Sequence, residues 1–142
     1  MLKEDTVFVP VINLDARGGF SPNDVTDTSQ YTSSLMPFAR EFAQEGDIVV
    51  PIYGDSMSPK YPSGSYVLVR PVELWREYLE LGQTYVVELS DGRRIIKNIK
   101  RGTSSDTLLF ESINPDYDSS EISKSIIRSI FRVTMSVRKD VI

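Results

Sequence analysis

The sequence predicts a mainly β fold, with one compact domain over residues 35–142 and an N-terminal arm over residues 1–34. Short runs rich in Val, Ile, Leu and Tyr recur along the chain, and clusters of Gly, Pro, Asn and Ser separate them. This pattern is typical of antiparallel sheets joined by tight turns. The 142 residues, 40% of them hydrophobic, suffice to bury one sizeable core, and two domains are not expected at this length.

Seven apolar runs are predicted as strands. Val, Ile and aromatic residues dominate most of them, and residues that favour turns bound them. Ser90-Asp91-Gly92 predicts a hairpin between the fourth and fifth strands. The predicted strands are 7–14, 48–53, 66–71, 84–89, 93–100, 107–113 and 126–137.

Two further segments are predicted as helix or loop. Residues 35–44 are expected to form a short helix capped by Ser34, because four apolar side chains would then share one face: Leu35, Phe38, Ala39 and Phe42. Residues 73–81 form either a helical turn or a packed loop, with Trp75, Tyr78 and Leu79 in the core or in a subunit contact. The polar stretch 21–34 is interpreted as a flexible connector.

The composition limits the classes of function. The chain has 16 basic and 20 acidic residues and a net charge of −4, so it lacks the positive surplus that drives binding to phosphate backbones. It has no cysteine and no histidine, which rules out disulfides and thiol or imidazole metal ligands; no metal or other cofactor is expected. No signal peptide and no apolar run near ~20 residues is present, so we expect a cytoplasmic protein without membrane contact.

Ser56 is the candidate nucleophile. It lies in the sequence Tyr53-Gly54-Asp55-Ser56-Met57-Ser58-Pro59, where Gly-Asp turn chemistry follows an apolar strand and leaves the serine at the strand end. A serine hydroxyl needs a base to accept its proton. Because the chain has no histidine, that base must be Lys, Asp or Glu.

Lys97 is the candidate base. Alternation along the predicted strand 93–100 places it on one face with Ile95 and Ile99, where burial would favour the neutral amine. The pKa must fall by about 3.4 from the free value of about 10.4 for half of the amine to be neutral at pH 7. The alternative is a solvated charged edge that prevents strand pairing, formed by Arg93, Arg94, Lys97, Lys100 and Arg101.

Three ordered motifs together resemble the self-cleaving serine-lysine peptidases typified by LexA, phage repressors and UmuD. They are Gly-Asp-Ser-Met-x-Pro around Ser56, Ile96-Lys97-Asn98-Ile99, and Asn114-Pro115-Asp116-Tyr117. The resemblance implies the LexA-like fold of short, strongly bent antiparallel strands, with Ser56 as nucleophile and Lys97 as general base. The backbone amides of Ser56 and Met57 are candidates to stabilise the oxyanion. Signal peptidases share a similar serine motif but are normally anchored in a membrane.

Residues 8–20 resemble the cleavage-site segment of this family, in which Ala-Gly or Cys-Gly is usually cut. The matching pair here is Gly18-Gly19, and Ala16-Arg17 is a weaker candidate. The alternative is that the glycines only form a flexible loop. Gly64-Ser65 departs from the usual Gly-Asp, a change expected to affect a turn rather than the chemistry.

The resemblance implies a cytoplasmic homodimer that acts as the C-terminal regulatory domain of a repressor-like transcription regulator in a stress or SOS response. A RecA-type filament or another inducer would stimulate cleavage, and DNA would be bound only through a preceding domain. Two alternatives stay open. One is a UmuD-like polymerase accessory protein, favoured by Gly19-Phe20-Ser21-Pro22, and the other is a catalytically silent dimerisation domain.

Overall fold

Nine strands form one mixed sheet within residues 5–12 and 32–138, the part of the chain that the computed structural model describes. The strand order across the sheet is β2-β1-β3-β4-β9-β5-β6-β7-β8. In chain order the strands are β1 (Thr6–Ile12), β2 (Thr32–Ala39), β3 (Ile48–Pro51), β4 (Tyr66–Pro71), β5 (Gln83–Leu89), β6 (Arg94–Arg101), β7 (Thr107–Glu111), β8 (Ser120–Ser123) and β9 (Ile127–Val137). A single 3₁₀ turn, Lys124–Ile126, precedes β9.

Strand β9 lies at the centre of the sheet and joins its two halves. It pairs antiparallel with β4 on one side and with β5 on the other. β1 pairs antiparallel with β2 and parallel with β3, with Val11 beside Val49. Because of this parallel pair, β1 and β3 end at the same edge of the sheet.

The core consists of apolar clusters on both faces of the sheet. Alternation along β3 and β4 places Val50 and Val67 in one cluster, with Val49 and Leu68 in another on the opposite face. The first of these clusters also contains Ile52, Met57 and Tyr61, which follow β3 in the chain. It therefore lies under the segment that carries Ser56.

The sequence prediction of mainly β structure is confirmed, and all seven predicted strands are present with ends that differ by up to two residues among the described positions. Residues 13 and 14 of the first predicted strand lie outside the described residues. Strand β8 was not predicted, because its sequence Ser-Glu-Ile-Ser has only one apolar residue. The segment is a strand because it pairs with β7.

The predicted helix over residues 35–44 is wrong. Residues up to Ala39 belong to β2, and a turn follows in which the amides of Phe42 and Ala43 donate to the carbonyl oxygen of Ala39. Phe38 is buried whereas Leu35 and Phe42 are exposed, so burial follows the strand period. Pairing with β1 supplies backbone partners and overrides the helical spacing. Because β2 begins at Thr32, the end of the predicted connector 21–34 is strand as well.

Residues 73–81 form a packed loop. The amides of Glu77 and Tyr78 donate to the carbonyl oxygen of Leu74, which makes one turn. Trp75 is buried in the cluster on the β5–β7 half of the sheet and Leu79 packs against that cluster, whereas Tyr78 is 75% exposed. Trp75 and Leu79 therefore make the predicted core contact, whereas for the exposed Tyr78 the alternative of a subunit contact stays a prediction. No helix among the described residues is long and apolar enough to cross a bilayer.

Candidate active site

The nucleophile turn, residues 52–58, begins directly after β3. The amide of Ile52 donates to the carbonyl oxygen of Ser65 at 2.9 Å, and the amide of Gly64 donates back to Ile52 at 3.0 Å, which closes the base of the loop. Gly54 has φ +78°, a conformation that an L side chain rarely adopts. The buried side chain of Met57 anchors the turn in the core and leaves the neighbouring Ser56 half-buried.

Lys97 reaches this turn from β6. Its Nζ atom lies 3.0 Å from the Oγ atom of Ser56, across 41 positions of sequence. Burial lowers the pKa of Lys97, because desolvation penalises the ammonium more than the neutral amine. The structure thus brings together the two side chains that the sequence predicts as nucleophile and base.

A cavity of about 200 Å³ surrounds the pair. Its wall contains the apolar side chains that account for the desolvation of Lys97, and Arg94 also contributes to it. The lining residues beside Ser56 and Lys97 include Val50, Ile52, Val86, Ile95 and Ile96. A larger cavity of about 870 Å³, lined by parts of β1, the loop 44–47 and Trp75, contains neither Ser56 nor Lys97.

The turn at residues 114–117 forms hydrogen bonds with the nucleophile turn. The amide of Asn114 donates to the carbonyl oxygen of Ser56 at 2.9 Å, and its Nδ2 atom donates to that of Asp55 at 3.0 Å. The hydroxyl of Tyr117 donates to Oδ1 of Asp55. The Tyr117 ring centre lies 5.9 Å from Nζ of Lys97. The sequence motif marked this turn, but only the structure shows what it contacts.

Arg94 is a site residue that the sequence interpretation missed. It stands directly opposite Glu88 in the β5–β6 pairing, with Nη2 3.5 Å from Oε2, and both side chains are almost fully buried. The other carboxylate oxygen of Glu88 accepts a hydrogen bond from Oγ of Ser129 at 3.1 Å. Burial raises the pKa of Glu88 and lowers that of Arg94 to about 10. The predicted charged edge is therefore wrong, because β6 pairs with both β5 and β7 and Arg94 is buried, although Arg93, Lys100 and Arg101 are exposed.

The predicted cleavage segment lies outside the described residues, and this includes Ala16, Arg17, Gly18 and Gly19. Gly64 has φ +92°, and Oγ of the buried Ser65 donates to the carbonyl oxygen of Pro62 at 2.6 Å. The serine that departs from the usual Gly-Asp therefore supports a turn.

A protein-family model described as Peptidase S24-like matches residues 10–133. The match spans the nucleophile turn, the β5–β6 hairpin and the turn at residues 114–117. A search of curated proteins found no match to the chain.

Proposed function

Since the chain belongs to the Peptidase S24-like family, whose members include LexA-like self-cleaving domains, we propose that it cuts its own backbone with a Ser56-Lys97 dyad. The observation that supports the proposal is the 3.0 Å contact between Nζ and Oγ in a cavity that desolvates the lysine. The bond proposed for cleavage is Gly18-Gly19.

Neutral Lys97 accepts the hydroxyl proton of Ser56 while Oγ attacks the carbonyl carbon of Gly18. The amides of Ser56 and Met57 stabilise the oxyanion. The C–N bond then breaks, and the Lys97 ammonium gives its proton to the leaving amine of Gly19. A water molecule, deprotonated by Lys97, hydrolyses the Gly18 ester and restores the Ser56 hydroxyl.

The strand pairing supports cleavage within one chain. β1 and β3 run parallel, so the segment after Ile12 and the segment after Pro51 leave the same edge of the sheet. Gly18 follows Ile12 by six positions, which span at most ~20 Å when extended. Ser56 follows Pro51 by five positions, so the proposed scissile bond and the nucleophile lie at similar chain lengths from two neighbouring strand ends.

Intact-mass spectrometry of the purified chain, incubated between about pH 7 and pH 10, tests the proposal. We expect a cut after Gly18 that disappears in Ser56→Ala and Lys97→Ala and persists in Lys100→Ala. Lys100 is the matched control, because it is exposed on the same strand and pairs with Glu111 at 3.0 Å. Cleavage that persists in Ser56→Ala or Lys97→Ala would refute the dyad. A wild-type chain that stays intact throughout would favour either a silent dimerisation domain or a peptidase that needs an inducer, and repeating the incubation with the inducer separates the two.

The biological role that fits this chemistry is regulation of transcription as a cytoplasmic homodimer. The net charge of −4 supports DNA binding through a separate preceding domain rather than through this one. Cleavage would then separate that domain from the dimer and weaken operator binding through loss of bivalency. A RecA-type filament or another inducer would trigger it. Analytical ultracentrifugation before and after cleavage tests the dimer.

A UmuD-like accessory role is the second candidate, supported by the segment Gly19-Phe20-Ser21-Pro22. It uses the same dyad, but the cleaved form would bind a polymerase. Pull-down of a DNA polymerase by the cleaved chain, compared with the uncleaved Ser56→Ala chain, distinguishes the two roles.

A further inference from the structure

Tyr117 contacts Lys97 and Asp55, the neighbour of Ser56, although it is 45% exposed. Its hydroxyl donates to the carboxylate of Asp55, the neighbour of Ser56, and its ring faces Nζ of Lys97 at 5.9 Å. A side chain that is nearly half exposed contributes little to the core. Its contacts with Asp55 and Lys97 therefore point to a role in the site.

Building on the proposed function, we propose that Tyr117 is a positioning residue of the dyad, which fixes the nucleophile turn through Asp55 and stabilises the charged form of Lys97 through its ring. The hydroxyl and the ring have separate effects. The hydroxyl affects how well Ser56 is positioned, and the ring affects the pH at which Lys97 becomes a base.

The hydroxyl acts on a turn that is already held at neighbouring points. The carbonyl oxygen of Asp55 accepts from Nδ2 of Asn114 at 3.0 Å and from the amide of Ser58 at 3.1 Å. The Tyr117 hydroxyl adds a third bond, to the Asp55 side chain. This bond and the negative charge of Asp55 raise the pKa of Tyr117, so the phenol keeps its proton over the neutral and mildly alkaline range.

The ring acts in the direction opposite to burial. An aromatic face within about 6 Å attracts an ammonium group but not a neutral amine. Tyr117 therefore favours the charged form of Lys97, whereas desolvation favours the neutral form. The ring slows self-cleavage near neutral pH.

Other charged or titratable groups surround Lys97, and none of them is changed when Tyr117 is substituted. Tyr85 stands opposite it on β5, and Arg132 stands beyond Tyr85 on β9. Arg94 lines the same cavity from β6 and pairs with Glu88 of β5. The nucleophile turn and the 114–117 turn contribute Tyr53, Asp55 and Asp116.

Two substitutions separate the two effects. Tyr117→Phe keeps the ring and removes the hydroxyl, and Tyr117→Leu removes both. We expect about a tenfold lower maximal cleavage rate in both variants, which corresponds to one charge-assisted hydrogen bond. Only the Leu variant should also shift the pH–rate profile, by about half a unit toward lower pH. Tyr78→Phe and Tyr78→Leu are the controls, because Tyr78 is 75% exposed and lies outside the Ser56–Lys97 cavity.

A second readout does not require cleavage. In the Ser56→Ala background, NMR titration of the Lys97 Cε signal should give the same pKa in the chain that keeps Tyr117 and in Tyr117→Phe, and a lower pKa in Tyr117→Leu. Equal pKa values in the Phe and Leu variants would overturn the ring effect. An unchanged maximal rate in Tyr117→Phe would overturn the hydroxyl effect. If the wild-type chain cleaves neither alone nor with an inducer but the titration shows the shift, the proposed function fails while the ring effect stands.

Discussion

Nζ of Lys97 and Oγ of Ser56 lie within hydrogen-bond distance, 3.0 Å, although one residue lies on β6 and the other in the turn after β3. Three strands, β4, β9 and β5, lie between β3 and β6 in the sheet, so the contact joins segments that are distant in strand order. The apolar wall of the cavity around it lowers the pKa of the amine. Geometry and protonation of the dyad therefore depend on the packing of the whole sheet.

The rate of self-cleavage should rise with pH and level off below pH 10.5, the ordinary pKa of a lysine. The neutral amine is the base, and burial shifts its formation to lower pH. Single-turnover cleavage measured by intact mass across the pH range gives the profile. A rate that is constant or falls with pH would contradict a lysine base.

Lys97→Met should stabilise the folded chain near neutral pH and have less effect in alkali. Because the folded pKa is lowered, the unfolded chain binds the proton more tightly, so the charged amine destabilises the fold below that pKa. This penalty disappears as the pH rises toward 10.5. Thermal unfolding at neutral and alkaline pH measures the difference. Lys100→Met, at an exposed position, should show no comparable pH dependence.

Breaking the Glu88-Arg94 pair should destabilise the fold strongly. Arg94→Met leaves the buried carboxylate of Glu88 without its cation, at a cost of about 3–5 kcal/mol. The double substitution to apolar residues, Glu88→Met with Arg94→Met, should recover much of the loss. Urea unfolding measures each value. Arg93→Met is the matched control, because its pair with Asp91 is exposed and contributes little to stability. If Arg94→Met lowers the free energy of unfolding no more than Arg93→Met does, the buried pair does not stabilise the fold as proposed.

Asp47→Ala should also destabilise the fold, by about 1–2 kcal/mol, because three hydrogen bonds to a carboxylate are lost but Arg70 is partly exposed and can be solvated. Asp47 is buried, and its carboxylate accepts hydrogen bonds from Nε and Nη2 of Arg70, both at 2.9 Å. It also accepts one from the amide of Gln44 at 2.9 Å. Arg70→Lys should not preserve this stability, because a single ammonium cannot make the two parallel bonds. Denaturant unfolding of both variants checks the result, and a neutral Arg70→Lys would contradict it.

Gly54→Ala should slow self-cleavage and cost about 1–2 kcal/mol of stability, because φ +78° is strained for a residue with a Cβ atom. No atom lies within 4 Å of the position that the Cβ would occupy, so the effect comes from the backbone rather than from a clash. Gly54→Asn should lose less, since Asn tolerates this conformation better. Equal losses in Ala and Asn would argue against backbone strain.

Local patterns in the sequence predicted much of the sheet and both members of the candidate dyad. Seven strands followed from apolar runs and turn residues, and the turn after β3 singled out Ser56. The prediction of a helix at residues 35–44 was wrong because β1, which is distant in sequence, supplies hydrogen-bond partners to this segment. β8 escaped prediction for the same reason, since pairing with β7 rather than its own hydrophobicity makes it a strand.

The sequence by itself determined the β architecture, the turn chemistry around Gly54 and the requirement for a base other than histidine, because periodicity, turn chemistry and composition are local properties. Only the tertiary structure decided that Lys97 meets Ser56, that Arg94 is buried opposite Glu88 and that Tyr117 contacts both Asp55 and Lys97. These contacts depend on strand order and register. Desolvation depends on them too, because a side chain leaves water only when distant segments pack around it.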